Sequence, residues 1–270
     1  MPSTSPTCDT LLYERRGRIA LVTLNRPEKL NAWNPTMEVE FIDAVERTAN
    51  DSELSVMVVT GAGRAFCAGG DISGWAQELA GQGGARPTSP LLARDGSPEV
   101  PLALSRGKPA IAAINGPSIG IGLTMPLSCD IRIASERATF SARFVKVGLT
   151  PECGSTRYLA LVAGLSNALL LALTGRIVEA DEALQRGLVD RVVPHDQLLD
   201  ETFALAEEIA ANPTDAVWAA KRLLHENAVE EDLRRVVTSE VNSLREMRRL
   251  PAHAEAVRAF VEKRPPRFHG

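Results

Sequence analysis

The sequence predicts an α/β fold with a mostly helical C-terminal region. Apolar runs typical of buried strands alternate with segments of helical periodicity along the first part of the chain. Two of these apolar runs end in glycine-rich stretches that lead into predicted helices. From Leu165 onward, the apolar residues recur mainly at helical spacing. These three observations favour α/β units followed by a helical region.

The N-terminal elements follow from local signals. Residues 1–10, rich in Ser, Thr and Pro, are expected to form a loose leader. Gly17 separates two segments of β character, 10–15 and 18–24, which predicts a hairpin-like start. Asn34 and Pro35 provide a cap and a first-turn proline for a helix over 36–49. Further strands are predicted at 56–60, 108–114 and 131–134, with 140–147 forming the edge of the next unit.

The C-terminal elements are predicted from periodicity and capping signals. A chain of 270 residues is long enough for one large domain with an appended subdomain. We place a core at residues 11–195 and a helical subdomain at 196–270. The predicted helices span 165–173, 179–186, 196–211, 213–226, 229–250 and 251–261.

Two glycine-rich stretches are candidates for binding an anionic group. The first, Arg-Ala-Phe-Cys-Ala-Gly-Gly-Asp at 64–71, lies between the strand at 56–60 and a predicted helix at 72–79. The second occupies 115–130 and also leads into a predicted helix. Each stretch alone also fits a tight turn before a capped helix. Together they can direct two backbone N–H groups at one oxygen, as the stabilisation of a thioester enolate requires.

Composition restricts the class of protein. The formal net charge of -4 gives no indication of nucleic-acid binding. We find no secretory signal pattern and no apolar run that we judge long enough to span a bilayer, and therefore expect a soluble, cytoplasmic protein without a membrane partner. The cysteines lack CxxC spacing and local histidine partners, which predicts reduced thiols and no metal site. They are Cys8, Cys67, Cys129 and Cys153.

The chain resembles the crotonase superfamily, that is, the enoyl-CoA hydratase/isomerase superfamily. The matching stretches lie in the family's order across nearly the whole chain, at 19–32, 65–71, 114–130, 148–159 and 260–264. The resemblance implies a crotonase (ClpP-like) fold of repeated ββα units in a right-handed superhelix. It also implies a C-terminal helical subdomain that builds a homotrimer, often paired into a hexamer. The implied substrate is an acyl-CoA thioester, with no cofactor beyond its CoA moiety.

The resemblance also assigns site residues by motif position. The oxyanion-hole donors are the backbone N–H groups of Gly70 and Ile121. Asp71 also fits a structural role in the first turn, and Lys263 fits a solvated lysine equally well. The loop at 81–101 fits a flexible surface loop as well as a segment that shapes the acyl pocket. The residues assigned to CoA are Lys29, Leu30, Ala32, Ala68, Asp71, Ile72, Phe260 and Lys263; those assigned to the acyl pocket are Trp75, Thr124, Phe144 and Leu149.

The chemistry depends on which acids are present. Hydratases of the family hold a water between two glutamates, and the matching positions here are Thr124 and Phe144, which cannot act as acids. Glu152 matches the single acid of the Δ3,Δ2-enoyl-CoA isomerase branch. It also lies near a helix start, where a carboxylate is favoured for structural reasons. We therefore predict that Glu152 shifts the double bond of a 3-enoyl-CoA to give a 2-enoyl-CoA, with its pKa raised by an apolar pocket.

Several alternatives remain open from the sequence. The chain could isomerise a ring epoxide of the phenylacetyl-CoA type, hydrate an enoyl-CoA with Glu152 and an ordered water, or bind acyl-CoA without turnover. Cys67 and Cys153 are interpreted as buried small residues rather than nucleophiles. The histidines are interpreted as solvated or structural; those considered are His195, His225 and His253.

Overall fold

A six-stranded sheet lies at the centre of the part of the chain that the structure, a computed structural model, describes: residues 8–73, 80–81 and 100–269. The first two strands, Leu11–Arg16 (β1) and Ile19–Leu24 (β2), pair antiparallel, and the remaining neighbours are parallel. Parallel strands of this kind are normally covered by helices on both faces. Across the sheet the strands are β1 (Leu11–Arg16), β2 (Ile19–Leu24), β3 (Val56–Gly61), β4 (Ala110–Ile114), β6 (Ile131–Ser135) and β9 (Arg191–Val193).

A smaller sheet stands beside the second glycine-rich stretch. Among the described residues it has three short strands: β5 (Ser118–Ile119), β7 (Thr139–Ser141) and β8 (Val178–Glu179). β5 and β7 are parallel, whereas β7 and β8 are antiparallel. Because β5 lies within the second glycine-rich stretch, this sheet fixes the position of that turn.

The described helices are distributed unevenly along the chain, and most of them follow the turn at 148–154. Three-residue to five-residue 3-10 helices occur at Pro27–Lys29, Pro126–Ser128, Arg143–Val147 and His195–Gln197. In the described part of the chain the α-helices are α1 (Pro35–Asn50), α2 (Val100–Arg106), α3 (Ile121–Thr124), α4 (Ser155–Thr174), α5 (Ala180–Gln185), α6 (Leu198–Ala210), α7 (Thr214–Asn227), α8 (Leu233–Met247) and α9 (Pro251–Glu262).

The central sheet separates two apolar cores. Side chains alternate along each strand, so that Met57 and Val59 of β3 face one core while Val56 and Val58 face the other. The first core includes residues of α1, α2 and α4, and the second includes residues of α6. Helices therefore cover both faces of the sheet.

The predicted hairpin and the predicted cap of the first helix are confirmed, whereas most of the leader predicted at 1–10 lies outside the described residues. Residues Leu11–Arg16 and Ile19–Leu24 form the antiparallel hairpin. Asn34 caps α1, because its side-chain Oδ1 accepts a hydrogen bond from Met37 N at 2.8 Å. The helix buries an apolar face that includes Met37, Phe41 and Val45.

Other predictions were wrong in detail. Residues 140–147 do not form one edge strand, since a strand ends at Ser141 and a 3-10 helix occupies Arg143–Val147. The helix predicted at 165–173 is the second part of α4, which begins at Ser155 and is interrupted at Gly164, where φ is 75° and ψ is 154°. The short strands β5, β8 and β9 were not predicted. With two or three residues each, they offer no periodicity to detect.

Our expectation that no apolar run is long enough to span a bilayer was also wrong. By length and composition, α4 with its 20 residues could cross a membrane. Within this chain, however, Leu159, Ala163 and Leu171 of α4 are part of the first core. A core helix passes the same test as a spanning helix, so the length of α4 does not identify a membrane protein.

A buried ion cluster joins α7 to the edge of the core. The ammonium group of Lys221 lies 2.9 Å from Asp130 Oδ2 and donates to the carbonyl oxygens of Leu104 and Lys108. His225 Nε2 lies 2.8 Å from the other carboxylate oxygen of Asp130. These contacts fix α7 against the end of α2 and the start of β4 and β6.

Candidate active site

The two glycine-rich stretches lie against each other in the structure. Cys67 of the first stretch forms a parallel bridge with Ser118 of the second, and Ile119 N donates to Cys67 O at 2.9 Å. Trp33, just before α1, forms a second bridge with Gly70. The first turn is therefore held on one side by the segment before α1 and on the other by β5.

The two stretches can approach each other closely because the residues at their contact are glycines, which have no side chain. A Cβ added at Gly122 would lie 2.0 Å from Cys67 O, and one added at Gly116 would lie 2.1 Å from Arg64 O. Gly120 has a φ of 57°, in the left-handed region, and its added Cβ would lie 3.7 Å from the Cα of Gly69. Any larger residue at Gly122 would push the two turns apart.

The two predicted oxyanion donors lie at the junction of these turns. Trp33 N donates to Gly69 O and Asp71 N donates to Trp33 O, so these flanking groups use the side of the turn that faces Trp33. Ile121 is the first residue of α3, where a helical N–H has no partner within the helix. In the described part of the chain, neither the Gly70 N–H nor the Ile121 N–H donates a hydrogen bond to another residue.

Glu152 lies in a turn with unusual backbone geometry. Cys153 and Gly154, which follow it, have φ values of 56° and 68°. A left-handed conformation is costly for the non-glycine Cys153, and such strain persists only where the surrounding structure imposes it. Buried Cys153 packs in the first core, and α4 begins at Ser155. The turn thereby places the Glu152 side chain beside α3.

The carboxyl of Glu152 is partly buried and contacts α3 directly. Thr124 Oγ1 donates a hydrogen bond to Glu152 Oε1 at 2.9 Å. Burial raises the pKa of Glu152 above its usual value, the hydrogen bond from Thr124 lowers it, and the negative charge of Glu38 raises it again. A base with a raised pKa is better matched to removing a proton from carbon near neutral pH.

Glu38 was missed in the sequence analysis. It lies in the first turn of α1, and its atom Oε1 is inaccessible to solvent. Its charge acts on both Glu152 and Cys153. The helical spacing of α1 indicated that Glu38 lies towards its apolar face. Glu38 precedes Phe41 by three residues and Ile42 by four, and both of these residues are buried. A carboxylate on the buried side of a helix is uncommon unless it has a function or a partner.

The residues assigned to the acyl pocket differ in burial, and one of them is not described by the structure. Thr124, the last residue of α3, and Phe144 are both buried, and Phe144 Cε1 lies 4.0 Å from a Cβ added at Gly120. Leu149 is half exposed, with its N–H bonded to Phe144 O at 2.9 Å. Trp75 and most of the loop at 81–101 lie outside the described residues, as does most of the helix predicted at 72–79. The pocket roles remain predictions.

The residues assigned to CoA cluster around the first turn, apart from two. Ala68 N donates to Leu30 O at 3.0 Å, and Arg26 reaches the carbonyl of Ala32. Ile72 is exposed. Phe260 and Lys263 lie on the exposed surface of α9 and at its C-cap. Their approach to CoA from a neighbouring subunit stays a prediction.

Asp71 has a structural role in the first turn. Its Oδ2 lies 2.8 Å from the Arg26 guanidinium and 3.5 Å from the Lys29 ammonium, and Ser73 donates to its other oxygen. Hydrogen bonds from Ser73 and Arg26, with the charge of Lys29, lower the pKa of Asp71 to about 2. Both Arg26 and Lys29 therefore pair with Asp71, and Arg26 is a member of this cluster that was not predicted from the sequence.

The other candidate groups have structural partners or are protonated. His195 Nδ1 lies 2.9 Å from Ser135 Oγ, and His225 is bonded to Asp130, so neither is simply solvated. Complete burial raises the pKa of Cys67 to about 12, and burial with the charges of Glu152 and Glu38 raises that of Cys153. Both thiols are therefore protonated near neutral pH and are poor nucleophiles.

A cavity of about 970 Å³ is lined by residues other than those of the candidate site. It lies between α2, α4, α7 and α8, with Leu102, Tyr158, Trp218, His225 and Met247 among its lining residues. Neither Glu152 nor the two predicted oxyanion donors line this cavity. It is therefore distinct from the space next to Glu152.

A central sheet covered by helices on both faces, with two apposed glycine turns and the partly buried carboxyl of Glu152 beside α3, defines an α/β protein of the crotonase type. The model of the enoyl-CoA hydratase/isomerase family matches residues 14–270. The chain belongs to the enoyl-CoA hydratase/isomerase family.

Individual relatives cover nearly the whole chain. It is 34% identical over 264 residues to the 1,2-epoxyphenylacetyl-CoA isomerase of Escherichia coli, covering 96% of this chain and 98% of the relative. It is 35% identical over 263 residues to a probable enoyl-CoA hydratase of Mycobacterium tuberculosis, covering 97% and 98%. The crystal structure of an enoyl-CoA hydratase from M. tuberculosis superposes with a TM-score of 0.85 at 31% identity, covering 97% and 99%. The family and the crotonase fold are thus confirmed.

Proposed function

We propose that this acyl-CoA enzyme moves a double bond in an enoyl thioester, with Glu152 as its single proton carrier. The observation that carries the proposal is the placement of Glu152: its carboxyl is partly buried, bonded to Thr124 of α3, and has a raised pKa. Such a group has the properties expected of a base that acts on a carbon acid.

The backbone supports the same chemistry. The thioester oxygen would accept hydrogen bonds from the Gly70 and Ile121 N–H groups, which have no partner among the described residues. Fixed donors of this kind stabilise the negative charge that develops when a proton leaves the α-carbon. The CoA moiety would lie along the first glycine turn, and no cofactor beyond it would be needed.

The steps balance with one carboxylate. The ionised carboxylate of Glu152 removes a proton from C2 of a 3-enoyl thioester, and the electrons of the broken C–H bond form a dienolate. Gly70 and Ile121 hold its oxygen. Glu152 then returns the proton to C4, which leaves the double bond between C2 and C3. Water takes no part in this sequence.

The absence of the standard hydratase acids also supports isomerisation. Thr124 and Phe144 occupy the two positions where a hydratase of this family carries glutamates, and the hydroxyl of Thr124 is already bonded to Glu152. A water held between two carboxylates therefore has no place at these positions. The loss of these acids is consistent with a reaction that adds no water.

A second candidate is isomerisation of a ring epoxide. It is favoured by the 34% identity to the 1,2-epoxyphenylacetyl-CoA isomerase of E. coli. In that case Glu152 would act on a ring-bearing thioester in the same site. The names of the hydratase relatives keep water addition by Glu152 as a third possibility.

We expect the wild-type protein to convert a 3-enoyl-CoA to a 2-enoyl-CoA and to add water to the 2-enoyl-CoA at least 100-fold more slowly. The physical reason is that hydration needs a second acid–base group to position water. Separation of the products by chromatography and mass spectrometry distinguishes the two reactions. Hydration faster than migration would refute the isomerase proposal, and turnover of an epoxyphenylacetyl-CoA alone would select the second candidate.

A further inference from the structure

The hydroxyl of Thr124 has a different kind of hydrogen-bond partner from the hydroxyls of comparable threonines. Thr48, Thr202 and Thr238 also lie in helices, and each donates to the backbone carbonyl four residues earlier. Thr124 instead donates to Glu152 Oε1 at 2.9 Å, across 28 positions of sequence. This bond therefore joins two elements of the fold and does not satisfy the backbone of its own helix.

The structure fixes Thr124 in place. The residue is completely buried, and its N–H donates to Gly120 O at 3.0 Å. Gly122, on the same helical turn, lies against the first glycine turn, since a Cβ added there would be 2.0 Å from Cys67 O. The branched Cβ of threonine also restricts the rotation of its side chain. The hydroxyl is thus a fixed donor that meets the Glu152 carboxyl from α3.

The bond to Thr124 distinguishes the two carboxylate oxygens of Glu152. Oε1 accepts the hydroxyl proton, whereas Oε2 accepts no hydrogen bond from the part of the chain that the structure describes. An oxygen without a hydrogen-bond partner keeps its lone pairs for an incoming proton. In a 3-enoyl thioester, C2 and C4 are both bonded to C3, so one oxygen held in a fixed position can serve both carbons.

We propose that Thr124 is a positioning residue for Glu152: its hydroxyl holds Oε1, so that Oε2 removes the proton from C2 and returns it to C4. The proton from C2 forms an O–H bond at Oε2, and this bond breaks when the proton moves to C4. The proton of Thr124 stays on its own oxygen, because Oε1 accepts it whether or not Oε2 is protonated. The inference rests on the proposed function, since it assigns the proton transfer to Glu152.

The position of Thr124 also relates the base to the predicted oxyanion site. Ile121, whose N–H is one of the two predicted donors, begins the same single-turn helix that Thr124 ends. Residues three positions apart lie on the same side of a helix. The bond from Thr124 to Glu152 thereby fixes the carboxyl relative to the place where the thioester oxygen would bind.

Thr124→Val replaces the hydroxyl by a methyl group of similar size and is expected to lower kcat for double-bond migration about tenfold, with KM changed less than about twofold. Without its donor, the Glu152 carboxyl adopts orientations in which Oε2 does not face C2. Steady-state kinetics on a 3-enoyl-CoA measure both quantities.

The pH profile provides a signature that a packing role would not produce. Burial raises the pKa of Glu152, the hydrogen bond from Thr124 lowers it, and the charge of Glu38 raises it. Cys67 and Cys153, which also interact with Glu152, are protonated near neutral pH. Because a donated hydrogen bond favours the ionised carboxylate, its loss raises the pKa of Glu152 further. The acid limb of kcat/KM therefore moves to higher pH in Thr124→Val.

Matched variants isolate the hydroxyl. Thr124→Ser keeps the donor and is expected to restore most of the kcat lost in Thr124→Val, together with the wild-type acid limb. Thr202→Val removes an equally buried hydroxyl from α6, where it bonds to Leu198 O, and is expected to change neither kcat nor the acid limb. If Thr124→Val does not fold, as judged by its thermal midpoint, Thr124→Ala removes the hydroxyl in a smaller side chain.

The outcomes are distinguishable. A lower kcat and an upward shift of the acid limb in Thr124→Val, both absent from Thr124→Ser and Thr202→Val, support the proposal. A folded Thr124→Val with the wild-type kcat and acid limb overturns it. Equal losses in Thr124→Val and Thr124→Ser also overturn it, because the effect would then come from side-chain volume. Turnover that persists in Glu152→Gln instead refutes the proposed function, because Glu152 would not be the proton carrier.

Discussion

Replacement of Glu152 by glutamine is expected to lower kcat for double-bond migration roughly 10³-fold while leaving acyl-CoA affinity almost unchanged. The amide has the same shape as the carboxyl and still accepts the hydrogen bond that Thr124 donates at 2.9 Å. It cannot take a proton from carbon. Steady-state kinetics together with calorimetric titration of a non-reactive acyl-CoA thioether measure the two quantities separately.

Glu46→Gln provides the control for this experiment, because Glu46 is an exposed glutamate of α1 and its replacement should alter neither quantity. A Glu152→Gln protein with turnover within tenfold of wild type would contradict the assignment. A wild-type protein that binds acyl-CoA without converting any enoyl substrate would instead favour a binding function, and the variant would then bind equally well.

The substitution Gly122→Ala is expected to damage the oxyanion site. An added Cβ would lie 2.0 Å from Cys67 O and 2.9 Å from Cys67 C, so that the backbone of one of the two turns must move. This overpacking should cost about 1–3 kcal/mol of folding free energy. Because Ile121 N–H lies next to the altered residue, we also expect kcat to fall about 10²-fold. Thermal denaturation and steady-state kinetics measure the two effects.

Gly17→Ala separates the loss of stability from the loss of the site. Gly17 has a φ of 57° in the β1–β2 turn, and a Cβ added there meets nothing within 4 Å. The variant should lose about 1 kcal/mol of stability through backbone strain and keep its kcat. Wild-type kcat in Gly122→Ala would contradict this account. It would show that the reaction does not require the close contact between the two turns.

Local sequence signals predicted much of the framework. The apolar runs at β2, β3 and β4, the Asn34 cap and the two glycine stretches each depend on neighbouring residues, so their patterns are visible along the chain. The short strands β5, β8 and β9 could not be predicted in this way. They exist because of pairing with segments distant in sequence.

Local sequence signals predicted only part of the candidate site. Glu152 and the glycine turns were identified by motif position, but their mutual contacts depend on tertiary packing. The Arg26–Asp71 ion pair and the action of Glu38 on Glu152 join residues 45 or more positions apart. Of these contacts, the sequence indicated only that Glu38 lies on the apolar side of α1. The contact between the segment before α1 and the first glycine turn depends on tertiary packing.

The most direct test of the single-carboxylate mechanism follows the transferred proton. A 3-enoyl-CoA with two deuterium atoms at C2 is converted in ordinary water, and the 2-enoyl-CoA formed at low conversion is examined by mass spectrometry. Because Glu152 is partly buried, part of the deuterium that it removes should be returned to C4 before exchange with solvent. Product molecules that retain both deuterium atoms are the predicted result, whereas product that never carries deuterium at C4, even in the first turnovers, would contradict transfer by one shielded carboxylate.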